Sequence, residues 1–178
     1  MIISEMQRKL ATWTTADPAR RVDRLLRLIA QPDWLAEAAR ITLSSKGANT
    51  PGVDGEIKLT AQARLPAILQ QIRNDLLSDA YSPSPARRVY IPKANGKQRP
   101  LGIPTLRDRI VQRAMVMAME PVWESDFHTL SYGFRPERSV HMAHREMVYE
   151  RAKRRYPRRW SGNTRNWGGH RTGSAQSW

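Results

Sequence analysis

RRVYIPKANGKQRPLGIP, residues 87–104, is the stretch whose reading decides the fold. Val89 and Ile91 alternate with Arg88 and Tyr90, the period of a half-buried strand. Ala94, Asn95 and Gly96 form a short turn, and Asn-Gly is a strong hairpin signal. Lys97 to Ile103 then runs back. Side chains alternate across a strand, so Arg87, Val89, Ile91 and Lys93 share one face. Lys93, Lys97 and Arg99 crowd positive charge at the tip. A planar Arg beside a point-charge Lys suits a phosphate, whether of a nucleotide triphosphate or of a nucleic-acid backbone. A solvated hairpin charged for solubility is an equally good reading of the spacing.

Downstream, Thr105 predicts an N-cap, with Asp108 three residues on in a capping box. The helix is expected to run through Glu120, with Pro121 marking its end or a kink. Its predicted buried stripe is Ile110, Val111, Ala114, Met117 and Ala118. The loop SYGFRPERS, Ser131 to Ser139, follows. Tyr132 and Phe134 flank Gly133, with Arg135 adjoining. Aromatics stack on bases and Arg binds phosphate; inward packing of the two rings is the competing reading. Ser139 is expected to cap a short helix through Met147. His141 and His144 lie on that helix without an evident third metal ligand.

Upstream, KGANTPGVDG, Lys46 to Gly55, carries strong turn chemistry. The periodicity predicts a helix over 60–77, irregular near Pro66, with Leu69, Ile72, Leu76 and Leu77 facing inward. Before the loop, a helix is expected over 20–30 on Val22, Leu25, Leu26 and Ile29. A second begins near Asp33, read as its N-cap, with Trp34, Leu35, Ala38 and Ile41 on one face. Tyr81 to Pro85 is extended because of its two prolines. The expected fold class is α+β.

The chain has 178 residues, 40% hydrophobic and 26% charged. Thirty Lys and Arg against 16 Asp and Glu give +14, a balance that points to a polyanionic partner. The absence of cysteine excludes disulfides, thiolate zinc sites and a cysteine nucleophile. No signal-peptide core or membrane-length apolar run is present, so a cytoplasmic protein without membrane partners is expected. Residues 145–178 hold nine Lys/Arg and two Glu, half of the net charge. From Val148 there is no Ile, Leu, Phe or Asp. Such a segment cannot bury enough apolar surface to order itself. The expected organisation is N-terminal helices over 1–45, a central region over 46–147, and a disordered or out-of-frame basic tail over 148–178.

Three segments together resemble one family. Val89 to Gln112 looks like the first fingers motif of group II intron-encoded reverse transcriptases, or maturases. Ser131 to Ser139 looks like the next motif, and NTPGVDG, Asn49 to Gly55, like the loop preceding both. They occur in the family's order and at about its spacing, covering roughly residues 46–145.

The resemblance implies a fingers subdomain of N-terminal helices, basic hairpin and helix, with the palm absent. It implies that Arg87, Lys93 and Arg99 hold the incoming nucleotide's triphosphate. It places Lys97, Thr50, Gly52 and Asp54 near template RNA, and Tyr132, Phe134, Arg135 and Arg138 along the template and nucleotide pocket. The family commonly has Gly where this chain has Glu137. Family members use Mg2+ on Asp carboxylates, one after the SYGFRP helix and a pair in a Tyr-Ala-Asp-Asp turn. This chain has no Asp after Asp126 and no Asp-Asp pair. The expectation is therefore a truncated fragment with no catalytic or metal-binding residues of its own, able to bind RNA, with DNA as a further partner. A stand-alone RNA-binding module and an enzyme completed in trans by a palm-bearing chain are the alternatives. A reading-frame shift near residue 145 would account for the change of texture.

Overall fold

Helix-forming periodicity and proline placement set the order of elements. The structure, a computed structural model, describes residues 3–17 and 21–155. The elements are α1 (Ile3–Ala16), α2 (Leu25–Ile29), α3 (Pro32–Ser44), a 3-10 turn (Lys46–Asn49), α4 (Lys58–Ala63), α5 (Leu65–Leu77), β1 (Arg87–Pro92), β2 (Gln98–Ile103), α6 (Leu106–Asp126) and α7 (Val140–Arg155). The α+β class is as expected. The chain divides into two units, residues 1–127 and 128–178. The expected boundary at 45/46 does not appear, because α3, α5 and α6 share one core.

That core forms where small residues let helices approach closely. Trp34, Leu35, Ala38 and Ala39 of α3 meet Ile110, Val111, Ala114, Met117 and Ala118 of α6, with Ile72 and Leu76 of α5 closing the cluster. All five residues predicted for the α6 stripe are buried. Trp34 is fully buried, and its indole N–H donates to the Ala114 carbonyl at 3.0 Å. Ile3 and Met6 of α1 pack against the same cluster, and Leu10 is buried.

Several boundaries differ from the sequence reading. Helix α2 begins only at Leu25, behind Arg24 in the left-handed region at φ 63°. A helix over 20–30 would set Arg20, Arg21, Arg24 and Arg27 at spacings of three and four, where like charges repel. Gln31 is the N-cap residue of α3, and Asp33 sits in the first turn. Pro32 takes the first helical position, where its fixed φ fits and its missing N–H costs nothing. The predicted 60–77 helix is two helices, broken at Arg64, with Pro66 at the start of α5. Leu77 is 50% exposed, not inward; the buried stripe of α5 runs through Ile72 and Leu76.

Helix α6 continues past Pro121 to Asp126. A proline inside a helix leaves the carbonyl four residues earlier without its donor. Here that carbonyl belongs to Met117, and the Gln7 side-chain amide donates to it at 3.0 Å. Helix α7 runs to Arg155, eight residues past its expected end. The expected disordered stretch thus begins with helix over 148–155, where Arg and Ala favour helix. The rest of that expectation lies outside the described residues.

Among the described residues, no helix is long and apolar enough to cross a membrane.

Candidate nucleic-acid interface

The hairpin register decides which cations act together. β1 and β2 pair antiparallel, with Arg87 opposite Ile103, Val89 opposite Leu101 and Ile91 opposite Arg99. The ladder closes with the Lys93 N–H donating to the Lys97 carbonyl at 2.7 Å, around Gly96 at φ 76°. Directly opposed residues project to the same side of a sheet. Arg87, Lys93, Lys97 and Arg99 therefore share one face, with Val89, Ile91 and Leu101 between them. Lys93, Lys97 and Arg99 cluster at the tip. Arg87 lies six residues from Lys93, roughly 20 Å along an extended strand. Residues 80–107 hold six Lys or Arg and no carboxylate. The face is thus a strip of positive charge with an apolar middle, long enough for several successive phosphates.

The base of the hairpin is held by a buried carboxylate that the sequence reading took only as a capping partner. Asp108 is 1% exposed. It accepts from the Tyr81 hydroxyl at 2.7 Å, the Ser84 N–H at 3.1 Å and the Thr105 hydroxyl at 2.7 Å. Its own N–H donates to the Thr105 oxygen at 3.2 Å, completing the expected N-cap. Burial first, and then the Asp108 carboxylate beside it, hold the Tyr81 phenol well above its ordinary value of 10.0. Arg107 lies over the Tyr81 ring, 5.2 Å from its centre, and pairs with Asp75. The extended lead-in to β1 is thereby fastened to the first turn of α6.

The loop over 46–55 is fastened to that turn too. Arg109 donates to the carbonyls of Gly47 and Thr50, each at 2.7 Å, and of Pro104 at 2.9 Å. Gly52 is buried, and a Cβ there would lie 2.8 Å from the Thr105 Cα. Gly52 therefore sets a close backbone approach and offers no side chain to a template. Thr50 and Asp54 are exposed. The Asp54 carboxylate accepts from the Glu56 N–H at 3.2 Å, which closes its own turn.

The second unit holds the other candidate residues. Arg135 donates to the carbonyls of His128 at 2.9 Å and Ser131 at 2.8 Å, so it braces its own loop. Arg138 lies 5.4 Å from the centre of the Tyr132 ring, which is partly buried. Phe134 is fully exposed at φ 58°, so only Tyr132 follows the inward-packing reading. The Ser139 hydroxyl accepts from the Met142 N–H at 3.3 Å, as a cap does.

Glu137 stands at φ 56°, the left-handed region that glycine enters freely. Glu137→Gly is expected to stabilise this unit by about 1 kcal/mol. Slower amide exchange across residues 135–139 would show it; faster exchange would contradict the strain argument.

The described residues do not fit the magnesium that the resemblance implies. No three His, Asp or Glu side chains among them gather as a metal would need. Asp75 is paired with Arg107, and Asp108 is filled by its three donors.

Residues 91–159 match the family model described as reverse transcriptase (RNA-dependent DNA polymerase). Protein YkfC of Escherichia coli (strain K12) is 78% identical over 143 residues, 80% of this chain and 38% of that protein. Group II intron-encoded protein LtrA of Lactococcus lactis subsp. cremoris is 38% identical over 122 residues, 67% of this chain and 20% of that protein. A putative COX1/OXI3 intron 2 protein of Saccharomyces cerevisiae is 37% identical over 95 residues, 53% of this chain and 10% of that protein. The chain thus spans well under half the length of these relatives.

Proposed function

We propose, from the premise that this chain belongs to the group II intron-encoded reverse transcriptases, that it grips RNA along its basic hairpin and does not polymerise by itself. One observation carries the reading: the hairpin register sets Arg87, Lys93, Lys97 and Arg99 on one face, in a stretch without a carboxylate. Such a face attracts a phosphate backbone whatever the base sequence. The clamped 46–55 loop is the second element, offering Thr50 beside the start of α6. The tip cations are the part of the site suited to a triphosphate or to consecutive backbone phosphates. The fingers assignment of this hairpin and its helices, and intron RNA as the natural partner, rest on the family relationship.

The experiment is a titration of single-stranded RNA against the chain over a range of salt. Wild-type affinity should fall steeply as salt rises, because bound phosphates release counterions. Replacing Lys93, Lys97 and Arg99 with alanine should flatten the log–log slope by about 2 and weaken binding at 0.1 M salt on the order of 100-fold. Arg40→Ala is the control: Arg40 is engaged by Glu37 on α3 at 2.6 Å, and affinity should not change. An unaltered slope in the triple variant would remove the hairpin from the interface.

A further inference from the structure

The hairpin offers backbone groups that a phosphate on its charged face would not use, namely those along the outer edge of β1. The Lys93–Lys97 bond fixes the alternation of the ladder. In an antiparallel pair, hydrogen-bonded and non-hydrogen-bonded positions alternate. Arg87, Val89 and Ile91 therefore exchange backbone bonds with β2, whereas Arg88 and Tyr90 turn their N–H and C=O groups away from it. Among the described residues, no other backbone or side-chain group bonds to them. Both side chains are exposed, Tyr90 by 54%. The two-stranded sheet has no third strand among the described residues. Its edges are unequal. Pro100, in the middle of β2, has no N–H to offer, so the β2 edge cannot accept a continuous partner. The β1 edge offers the outward N–H groups of Arg88 and Tyr90 without a break, and its outward pairing ends at Pro92, which has none to give.

The geometry points to the β1 edge as a docking site for an extended acidic peptide segment of a partner protein, added antiparallel as a third strand. Backbone groups of Arg88 and Tyr90 supply the pairing. Side chains select the partner. A strand beside β1 faces Arg87, Val89, Ile91 and Lys93 on one side of the sheet, and Arg88 and Tyr90 on the other. Carboxylates fit opposite the three cations, and β-branched residues fit opposite Val89 and Ile91. A second copy of this chain is disfavoured, because it would set Arg87, Arg88 and Lys93 near their own equivalents in a protein of net charge +14. Charged side chains on an edge normally suppress pairing; here they suppress neutral and basic strands while admitting an acidic one.

The probe is the blocked peptide Glu-Thr-Val-Thr-Val-Glu-Glu, titrated into the full chain with backbone amide exchange as the readout. Binding should slow exchange at Arg88 and Tyr90 at least tenfold. Two further peptides separate strand addition from simple charge attraction. One carries proline at both Thr positions and keeps the charge; the other carries Gln for Glu. Each should bind at least tenfold more weakly. Tyr90→Pro removes an outward N–H at a position where the ladder needs none, and should abolish the protection. Equal binding of the proline peptide overturns the proposal, as does unchanged exchange at Arg88 and Tyr90 in the bound state. The same protection produced by a short RNA would assign the edge to nucleic acid and overturn the peptide reading. The peptide comparisons stand even if Tyr90→Pro fails to fold.

Discussion

Asp108→Ala is expected to destabilise the first unit by about 4 kcal/mol and to release the hairpin from the helices. The substitution leaves the Tyr81 hydroxyl, the Thr105 hydroxyl and the Ser84 N–H without their shared acceptor. Hydrogen bonds to a charged group are the stronger kind, and each buried donor left empty adds its own desolvation cost. Asp108→Asn keeps an acceptor and the shape, and should lose about half as much. Urea unfolding measures both, and equal midpoints for wild type and Asp108→Ala would refute the anchoring role. Tyr81 gives an independent signal. Its phenol is held high by burial and then by the Asp108 carboxylate, so the native state prefers the neutral form. That contribution to stability is complete below the unfolded value near 10 and declines as pH rises above it. In Asp108→Asn the charge is gone, and the Tyr81 absorbance transition should move to lower pH. A transition that does not move would mean that burial alone sets it.

Trp34→Ala should cost about 4 kcal/mol, through a large cavity and an unmet carbonyl. The indole is fully buried where α3 crosses α6 and donates to Ala114. Ala38, Ala39, Ala114 and Ala118 around it are too small to refill the space. Trp34→Phe keeps most of the volume and should cost about 2 kcal/mol. The urea midpoint of each variant, followed by circular dichroism, gives the comparison. A loss below 1 kcal/mol for Trp34→Ala would mean that this helix crossing is not the centre of the core.

The hairpin and the α6 stripe were legible because each rests on short-range periodicity. Val89 and Ile91 alternate, Asn-Gly marks the turn, and five apolar residues recur at helical spacing. The four tip and base cations were legible as types; their common face followed once strand pairing was fixed. Helix α1 was not singled out within the expected N-terminal helices, and its partner is remote in sequence, so nothing local announces the α1–α6 contact. The passage of α6 through Pro121 was hidden for the same reason. A local reading sees the missing N–H, while the compensating donor is Gln7, on another element. The Arg109 clamp and the three donors on Asp108 are likewise long-range. They changed the reading of the site, because they turn Gly52 and Asp108 from loop and cap residues into fastenings for the 46–55 loop and the basic hairpin. The bonds of Arg135 to its own loop were not legible, because a guanidinium beside an aromatic looks the same in sequence whether it meets phosphate or nearby carbonyls.

The bond between Gln7 and Met117 joins residues 110 positions apart, and that separation bears on the order of events during synthesis. Contacts so distant cannot form until the later partner exists, and they slow folding because a long loop must close first. While the ribosome makes the intervening residues, Ile3, Met6 and Leu10 wait without the helix they pack against. The first unit is thus closed by its last helix, and until that helix has been made the nascent chain keeps the apolar stripe of α1 uncovered.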